Sequence, residues 1–317
     1  MSDVIVGSSG YARLCPAGRS FLLDAGLTLN ENPYERPLLK SELLDAVVTA
    51  RAGIVGVEVW DADVFAAAPN LKVLTKLGSG VDNIDLSAAA AHGVTVCNAP
   101  GGNANAVAEI TVGLVLAGFR QIPRLDANLR AGGWDRYVGP ELTGKTVGLI
   151  GFGAIGALVA HRLLGFDCAM LAYDPYPNAA LAAERGVELV DLDELLARAD
   201  VLSLHLPSLP STHHFVNHDF LAKAKRGAFL VNTARGTLVD EAALTEAIQS
   251  GQLGASLDVF ENEPISSHSP LLDLENVVLT SHAAADSIEA YRNIGQINAH
   301  AILDVLGGRE PANVVTS

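Results

Sequence analysis

Gly151-Phe152-Gly153-Ala154-Ile155-Gly156 lies between a β-branched run, Thr146–Ile150, and an apolar helical pattern, Ala154–Leu164. A GxGxxG at a strand-to-helix junction uses its first glycine for a tight turn and its second for close backbone approach to a ligand. The third lets helix and strand pack closely. The helix beginning there presents unpaired N–H groups and the positive end of its dipole, which suits a pyrophosphate. Asp174 follows eighteen residues after Gly156, at the end of the next apolar run, Ala169–Tyr173. A carboxylate so placed accepts hydrogen bonds from ribose hydroxyls. The segment therefore reads as a Rossmann dinucleotide site, with Gly151, Gly153, Ala154, Ile155 and Gly156 around the phosphates and Asp174 on the ribose. A 2′-phosphate beside Asp174 would meet like charge, and Pro175-Tyr176-Pro177 offers no arginine, so NAD is favoured over NADP.

The same alternation runs through the chain. Before the motif, Val4–Val6, Gly53–Val57, Val73–Leu77 and Val94–Cys97 read as buried strands; after it, Val201–Leu206, Phe229–Asn232, Ala255–Asp258 and Val277–Leu279 do. Between them lie helical patterns. One opens at Ser41 as N-cap, and a long one over 103–120 is too apolar to face water on any side. Others open at Asp191 and Asp240, and a last one spans 287–306. Such alternation predicts parallel α/β architecture, and the final helix, with no strand after it, predicts a return to the first domain.

With 317 residues, the chain suffices for two domains of about 150 each. At 49% hydrophobic and 18% charged it has enough apolar surface to fold. Its net charge of −15 argues against a nucleic-acid partner, which needs a clustered positive field. Cys15, Cys97 and Cys168 are widely spaced and form no CxxC, so neither a disulfide framework nor a metal site is expected, and a reducing compartment is. Met1-Ser2-Asp3-Val4 lacks a signal-peptide start, and the longest apolar stretch, 107–119, contains Glu109 and is too short for a bilayer. The expectation is a soluble, cytoplasmic protein without membrane contact.

Further segments carry a resemblance. They are Leu77-Gly-Ser-Gly-Val-Asp-Asn-Ile-Asp85, Asn98-Ala-Pro-Gly-Gly-Asn103, Val107-Ala-Glu109 and Leu142-Thr-Gly-Lys-Thr-Val-Gly148, then Asn232-Thr-Ala-Arg-Gly236, Leu257-Asp-Val-Phe-Glu-Asn-Glu-Pro264 and Ser281-His282. In this order the chain resembles the D-isomer-specific 2-hydroxyacid dehydrogenase family. Its motifs come nearest to phosphoglycerate dehydrogenases without the C-terminal regulatory domain. The resemblance implies an α/β fold in which a Rossmann dinucleotide-binding domain, 102–286, is inserted in a flavodoxin-like substrate (catalytic) domain, 1–101 and 287–317. It also implies a homodimer built through the 103–120 helix.

Carried over by position, the resemblance makes Arg235, Glu263 and His282 the catalytic trio. It sets Ser79, Gly80 and Arg235 against the substrate, a 2-hydroxy or 2-keto acid. Leu206, Pro207, Thr233, Ala234 and Asp258 join the NAD site, Asp258 near the nicotinamide carboxamide. The residue types suit the chemistry. Histidine changes charge near neutral pH and exchanges the hydroxyl proton, a carboxylate orients the imidazole, and arginine's planar fork grips a carboxylate. His213 and His214 read as structural or exposed. Two departures stand out: Ala154 replaces an arginine common among relatives, and Val55-Gly-Val-Glu-Val59 places Glu58 where phosphate-using relatives carry basic residues. The leading expectation is oxidoreduction of an unphosphorylated acid. 3-Phosphoglycerate dehydrogenation in serine biosynthesis and an NAD-gated, corepressor-like binding role are the alternatives.

Overall fold

The β-branched runs form two all-parallel sheets in a computed structural model, which describes residues 2–315. The chain separates into two units. One runs up to Asn103 and resumes at Ala285; the other is Ala104–Ala284.

In the first unit the strands are β1 (Val4–Val6), β2 (Leu29–Glu31), β3 (Ala52–Val55), β4 (Val73–Lys76) and β5 (Thr95–Cys97), in the flavodoxin-like order β2-β1-β3-β4-β5. β1 and β3 are buried along their whole length, as strands are when helices cover both faces. One cover is the C-terminal helix Ile288–Leu306, opened by Ser287, whose Oγ accepts the Ala290 N–H at 3.0 Å. This helix packs on Pro16–Asp24 so closely that a Cβ on Gly18 would lie 2.1 Å from the Gly295 carbonyl oxygen. The strand order reverses between β1 and β3, and their carboxyl ends frame a crevice.

The second unit holds β6 (Thr146–Ile150), β7 (Ala169–Tyr173), β8 (Glu188–Leu189), β9 (Val201–Leu204), β10 (Phe229–Asn232), β11 (Gly254–Leu257) and β12 (Val277–Leu279). Their order, β12-β11-β10-β9-β6-β7-β8, is the Rossmann arrangement, reversing between β6 and β9. Helix Ala104–Phe119 is pinned to this sheet by polar groups inside an apolar contact. Ser256 Oγ donates to the Leu114 carbonyl at 2.9 Å, and the Thr111 and Thr233 hydroxyls share a bond of 2.8 Å.

Several expectations change. Helix Lys40–Val47 is capped by Leu39, not Ser41, because the Glu42 carboxylate, held by Arg36, accepts the Leu39 N–H at 2.8 Å. The 104–119 helix is not buried all round. Only one stripe packs inward, and Asn105, Glu109 and Gly113 are exposed, Arg162 reaching across to Asn105 at 2.9 Å. Strands β3 and β9 end two residues early, since Gly56-Val57 and His205-Leu206 turn into loops at the ligand side of each sheet. Edge strands β2 and β8 were not anticipated, because polar residues such as Asn30 and Glu188 interrupt their apolar pattern. Among the described residues no single helix is long and apolar enough to cross a membrane, and all three cysteines are free.

Candidate active site

The glycine loop has the form that its sequence requires. Gly151 adopts φ +97°, and a Cβ there would lie 2.7 Å from the His205 backbone; one at Gly156 would lie 2.4 Å from the Gly151 carbonyl oxygen. Gly153, by contrast, opens onto free space, and no side chain caps the helix it begins, Ala154–Leu163. The first-turn N–H groups at Ala154, Ile155 and Gly156 are thus presented to a ligand at the point where the strand order reverses. Asp174 does more than wait for a ribose. Its Oδ2 accepts the Phe152 N–H at 2.7 Å and its Oδ1 the Tyr176 N–H at 2.8 Å, so one carboxylate fixes both the glycine loop and its own turn. Oxygen lone pairs remain on it for hydroxyl donors. This donor set fits a dinucleotide.

Beside the loop stands His205, whose N–H donates to the Ile150 carbonyl at 2.7 Å and whose Nε2 shares a hydrogen bond with Ser203 Oγ at 3.0 Å. Burial pushes its pKa down to about 4. Between pH 6.5 and 4 the unfolded chain takes up this proton and the folded chain does not, so stability falls as pH falls, by about 1.4 kcal/mol per unit. Denaturant unfolding at pH 7, 5 and 4 should therefore show a steeper loss in the wild type than in His205→Asn, by about 2–3 kcal/mol over the window. Equal losses would mean that His205 accepts its proton when folded.

The second cluster forms where β10, β11 and β12 end in register, with Asn232 opposite Leu257 and Leu257 opposite Leu279. The Asp258 N–H donates to the Asn232 carbonyl at 2.9 Å and the His282 N–H to the Asp258 carbonyl at 2.7 Å, stitching the three loops together. Asn232, fully buried, shapes the first loop: its Oδ1 accepts the Ala234 N–H at 3.0 Å and its Nδ2 donates to the Arg235 carbonyl at 2.8 Å. Arg235 Nη1 donates to the Ala234 carbonyl at 2.7 Å. Gly236 lets the neighbouring loop close in, since a Cβ there would overlap the Phe260 backbone at 1.9 Å.

Glu263 and His282 meet directly. His282 Nδ1 donates to Glu263 Oε2 at 2.6 Å, while Glu263 Oε1 accepts the Phe260 N–H at 2.9 Å. The carboxylate is thus held from both oxygens, and the imidazole is left with Nε2 outward, its side chain 48% exposed. His282 sits at φ +53°, a conformation uncommon outside glycine, kept by the hydrogen bonds of its turn.

Other expected site residues fall in different places. Asp258 is fully buried: Oδ1 accepts the Thr280 hydroxyl at 2.5 Å and the Ala283 N–H at 2.9 Å, and Oδ2 the Ala284 N–H at 2.9 Å. Its carboxylate braces the His282 turn. The Thr233 hydroxyl likewise points inward to Thr111, and Leu206 is buried. Pro207 is exposed and Ala234 half-buried. In the first unit, Ser79 Oγ donates to the Ala99 carbonyl and to Asn103 Oδ1, both at 3.1 Å, and the Ser79 carbonyl accepts Asn98 Nδ2 at 2.7 Å. The loop of Ser79 and Gly80 is thereby fixed with its N–H groups outside these bonds. Glu58, only 5% exposed, lies in the crevice of that sheet. The Gly56 N–H donates to its Oε2 at 2.8 Å, and a Cβ at Gly7 would lie 2.9 Å from its carboxylate. Asn232 and Thr280 were missed as site-shaping residues; the one available signal was a polar side chain directly ending an apolar strand.

Residues 112–284 match the family model for the D-isomer specific 2-hydroxyacid dehydrogenase, NAD binding domain. The chain is 47% identical over 273 residues to D-3-phosphoglycerate dehydrogenase of Mycobacterium tuberculosis (strain ATCC 25618 / H37Rv), covering 85% of this chain and 52% of that protein. It thus spans about half the length of the curated phosphoglycerate dehydrogenases that it matches. Glyoxylate reductase of Thermofilum pendens is 43% identical over 263 residues, covering 80% of this chain and 78% of its own. Among solved structures, the TT0316 protein from Thermus thermophilus superposes with a TM-score of 0.90 at 36% identity, over 99% of this chain and 100% of that one.

Proposed function

Because the chain belongs to the D-isomer-specific 2-hydroxyacid dehydrogenase family, we propose that it is an NAD-dependent oxidoreductase interconverting a D-2-hydroxy acid and its 2-keto acid. The observation that carries this reading is the 2.6 Å bond from His282 Nδ1 to a doubly held Glu263. It fixes the tautomer and leaves Nε2 to take the hydroxyl proton in oxidation or return it to the carbonyl oxygen in reduction. Glu263 holds the imidazole in place as the proton arrives and leaves. Arg235 grips the substrate carboxylate with its planar fork. Bound NAD would supply the hydride exchange at C2. Gly151, Gly153, Ala154, Ile155, Gly156 and Asp174 would hold it, with Leu206, Pro207, Thr233 and Ala234 along its path. Asp258, which also braces the 280–284 turn, would stand near the nicotinamide carboxamide. A homodimer through the open face of helix Ala104–Phe119 and a cytoplasmic location fit the same reading.

Glu58 favours an unphosphorylated substrate. Its buried carboxylate occupies the crevice of the first sheet, and Lys76 Nζ, the nearby base, donates to the Gly56 carbonyl and, at 2.9 Å, to Asn83 Oδ1. A dianionic phosphate there faces like charge without a dedicated fork. The second reading, 3-phosphoglycerate dehydrogenation, draws on the 47% identity to an enzyme of that name. Comparing kcat/KM for hydroxypyruvate, glyoxylate and 3-phosphohydroxypyruvate at one pH and ionic strength decides between them. The unphosphorylated acids should be reduced more efficiently, and Glu58→Gln should narrow the gap by about tenfold, one unfavourable charge contact being worth about 1.4 kcal/mol or more. Preference for the phosphorylated acid in the wild type would select the second reading.

A further inference from the structure

Two histidines that the mechanism does not use lie on the long loop after β9. Successive side chains on an extended chain point to opposite sides. At His214 the backbone takes φ +49°, and its N–H donates to the Thr237 carbonyl at 2.9 Å. This turn brings the His213 and His214 rings to one side, stacked with centroids 4.0 Å apart. Facing them from the loop after β11 is Glu261, whose Oε1 accepts His214 Nε2 at 2.6 Å. One ring nitrogen from each histidine and a carboxylate oxygen of Glu261 all lie within 4.8 Å of one another.

Two imidazoles and a carboxylate are the donor set of a zinc-type ion, which takes three protein ligands and keeps a position open for water or an anion. Zn–N and Zn–O bonds of about 2.0–2.2 Å put neighbouring tetrahedral ligands roughly 3.3 Å apart. The exposed His213 side chain reaches that spacing by rotation, and the His214–Glu261 pair by opening slightly. The Glu261 N–H donates to Glu241 Oε1 at 2.7 Å, which fixes the backbone beneath the carboxylate ligand.

We propose that His213, His214 and Glu261 form a binding site for a divalent transition-metal ion of the zinc type, separate from the Arg235, Glu263 and His282 cluster. The ion would tie the loop after β9 to the loop that carries Glu263.

The test is titration of the full chain, free of any polyhistidine tag, with zinc chloride against a chromophoric chelator. One equivalent should bind per chain. His213→Ala, at an exposed position where folding is not at stake, and Glu261→Gln should each weaken binding by roughly tenfold or more, since even outer-shell partners of a metal are worth that much. His218→Ala is the matched control. It removes an exposed histidine paired with Glu246 at 3.2 Å but outside any three-ligand group among the described residues, and should leave binding unchanged. Millimolar magnesium should not compete, because a hard cation prefers all-oxygen sites. Absence of an equivalent, equal affinity in wild type and His213→Ala, equal loss in the control, or displacement by magnesium would each overturn the proposal.

Discussion

Replacing His282 should lower kcat by about 10²–10⁴-fold, the usual cost of losing a positioned general acid–base, while NADH binds as before. The separation follows from the architecture. His282 hangs from the end of β12, whereas the glycine loop and Asp174 follow β6 and β7. The choice of variant matters because His282 occupies φ +53°. Alanine there adds backbone strain to the loss of the imidazole, but asparagine tolerates the left-handed region and still lacks a group titrating near neutrality. His282→Asn therefore isolates the proton transfer and should fall as far as His282→Ala. Steady-state kinetics with the best 2-keto acid, together with NADH fluorescence titration, reads both quantities. A near-normal kcat in His282→Asn would make the histidine structural; loss of NADH binding would show that its turn supports the nucleotide site.

The second large effect belongs to Arg235. Arg235→Lys keeps the charge but loses the two-pronged geometry, so kcat/KM should fall by roughly 10–100-fold, the worth of about 1.5–3 kcal/mol for a hydrogen bond to a charged group. Arg235→Gln should fall further. The wild-type guanidinium is set by its own loop, with Nη1 on the Ala234 carbonyl and Asn232 bracing the Ala234 and Arg235 backbone. A lysine ammonium inherits none of that planarity. Wild-type efficiency in Arg235→Lys would mean that the substrate carboxylate is held by charge alone.

Much of this was legible in the sequence because the fold repeats one rule, apolar strand followed by apolar-faced helix. The first and third glycines of the loop could be read directly, since each answers a steric demand that the structure displays: φ +97° at Gly151 and a 2.4 Å approach at Gly156. What could not be read were the partners of polar groups far apart in sequence. The bonds that Thr280, Ala283 and Ala284 make to the Asp258 carboxylate, across 22 to 26 residues, had no signal in the sequence. Nor did the sequence show that the Thr233 hydroxyl shares a bond with Thr111, far away in the chain. The capping of the Lys40–Val47 helix failed for a related reason. Serine is the better N-cap by type, but Glu42 in the first turn reaches back to the Leu39 N–H and sets the start two residues earlier. His213, His214 and Glu261 converge only through a left-handed turn that no composition rule announces.

The most direct test of the central claim follows one atom. The chain is incubated with a 2-keto acid and NADH carrying deuterium at both C4 positions of the nicotinamide, and the product is analysed by mass spectrometry and chiral chromatography. One deuterium is expected on C2 of a D-configured 2-hydroxy acid. Product without deuterium at C2, an L-configured product, or no oxidation of NADH across the panel of keto acids would contradict it.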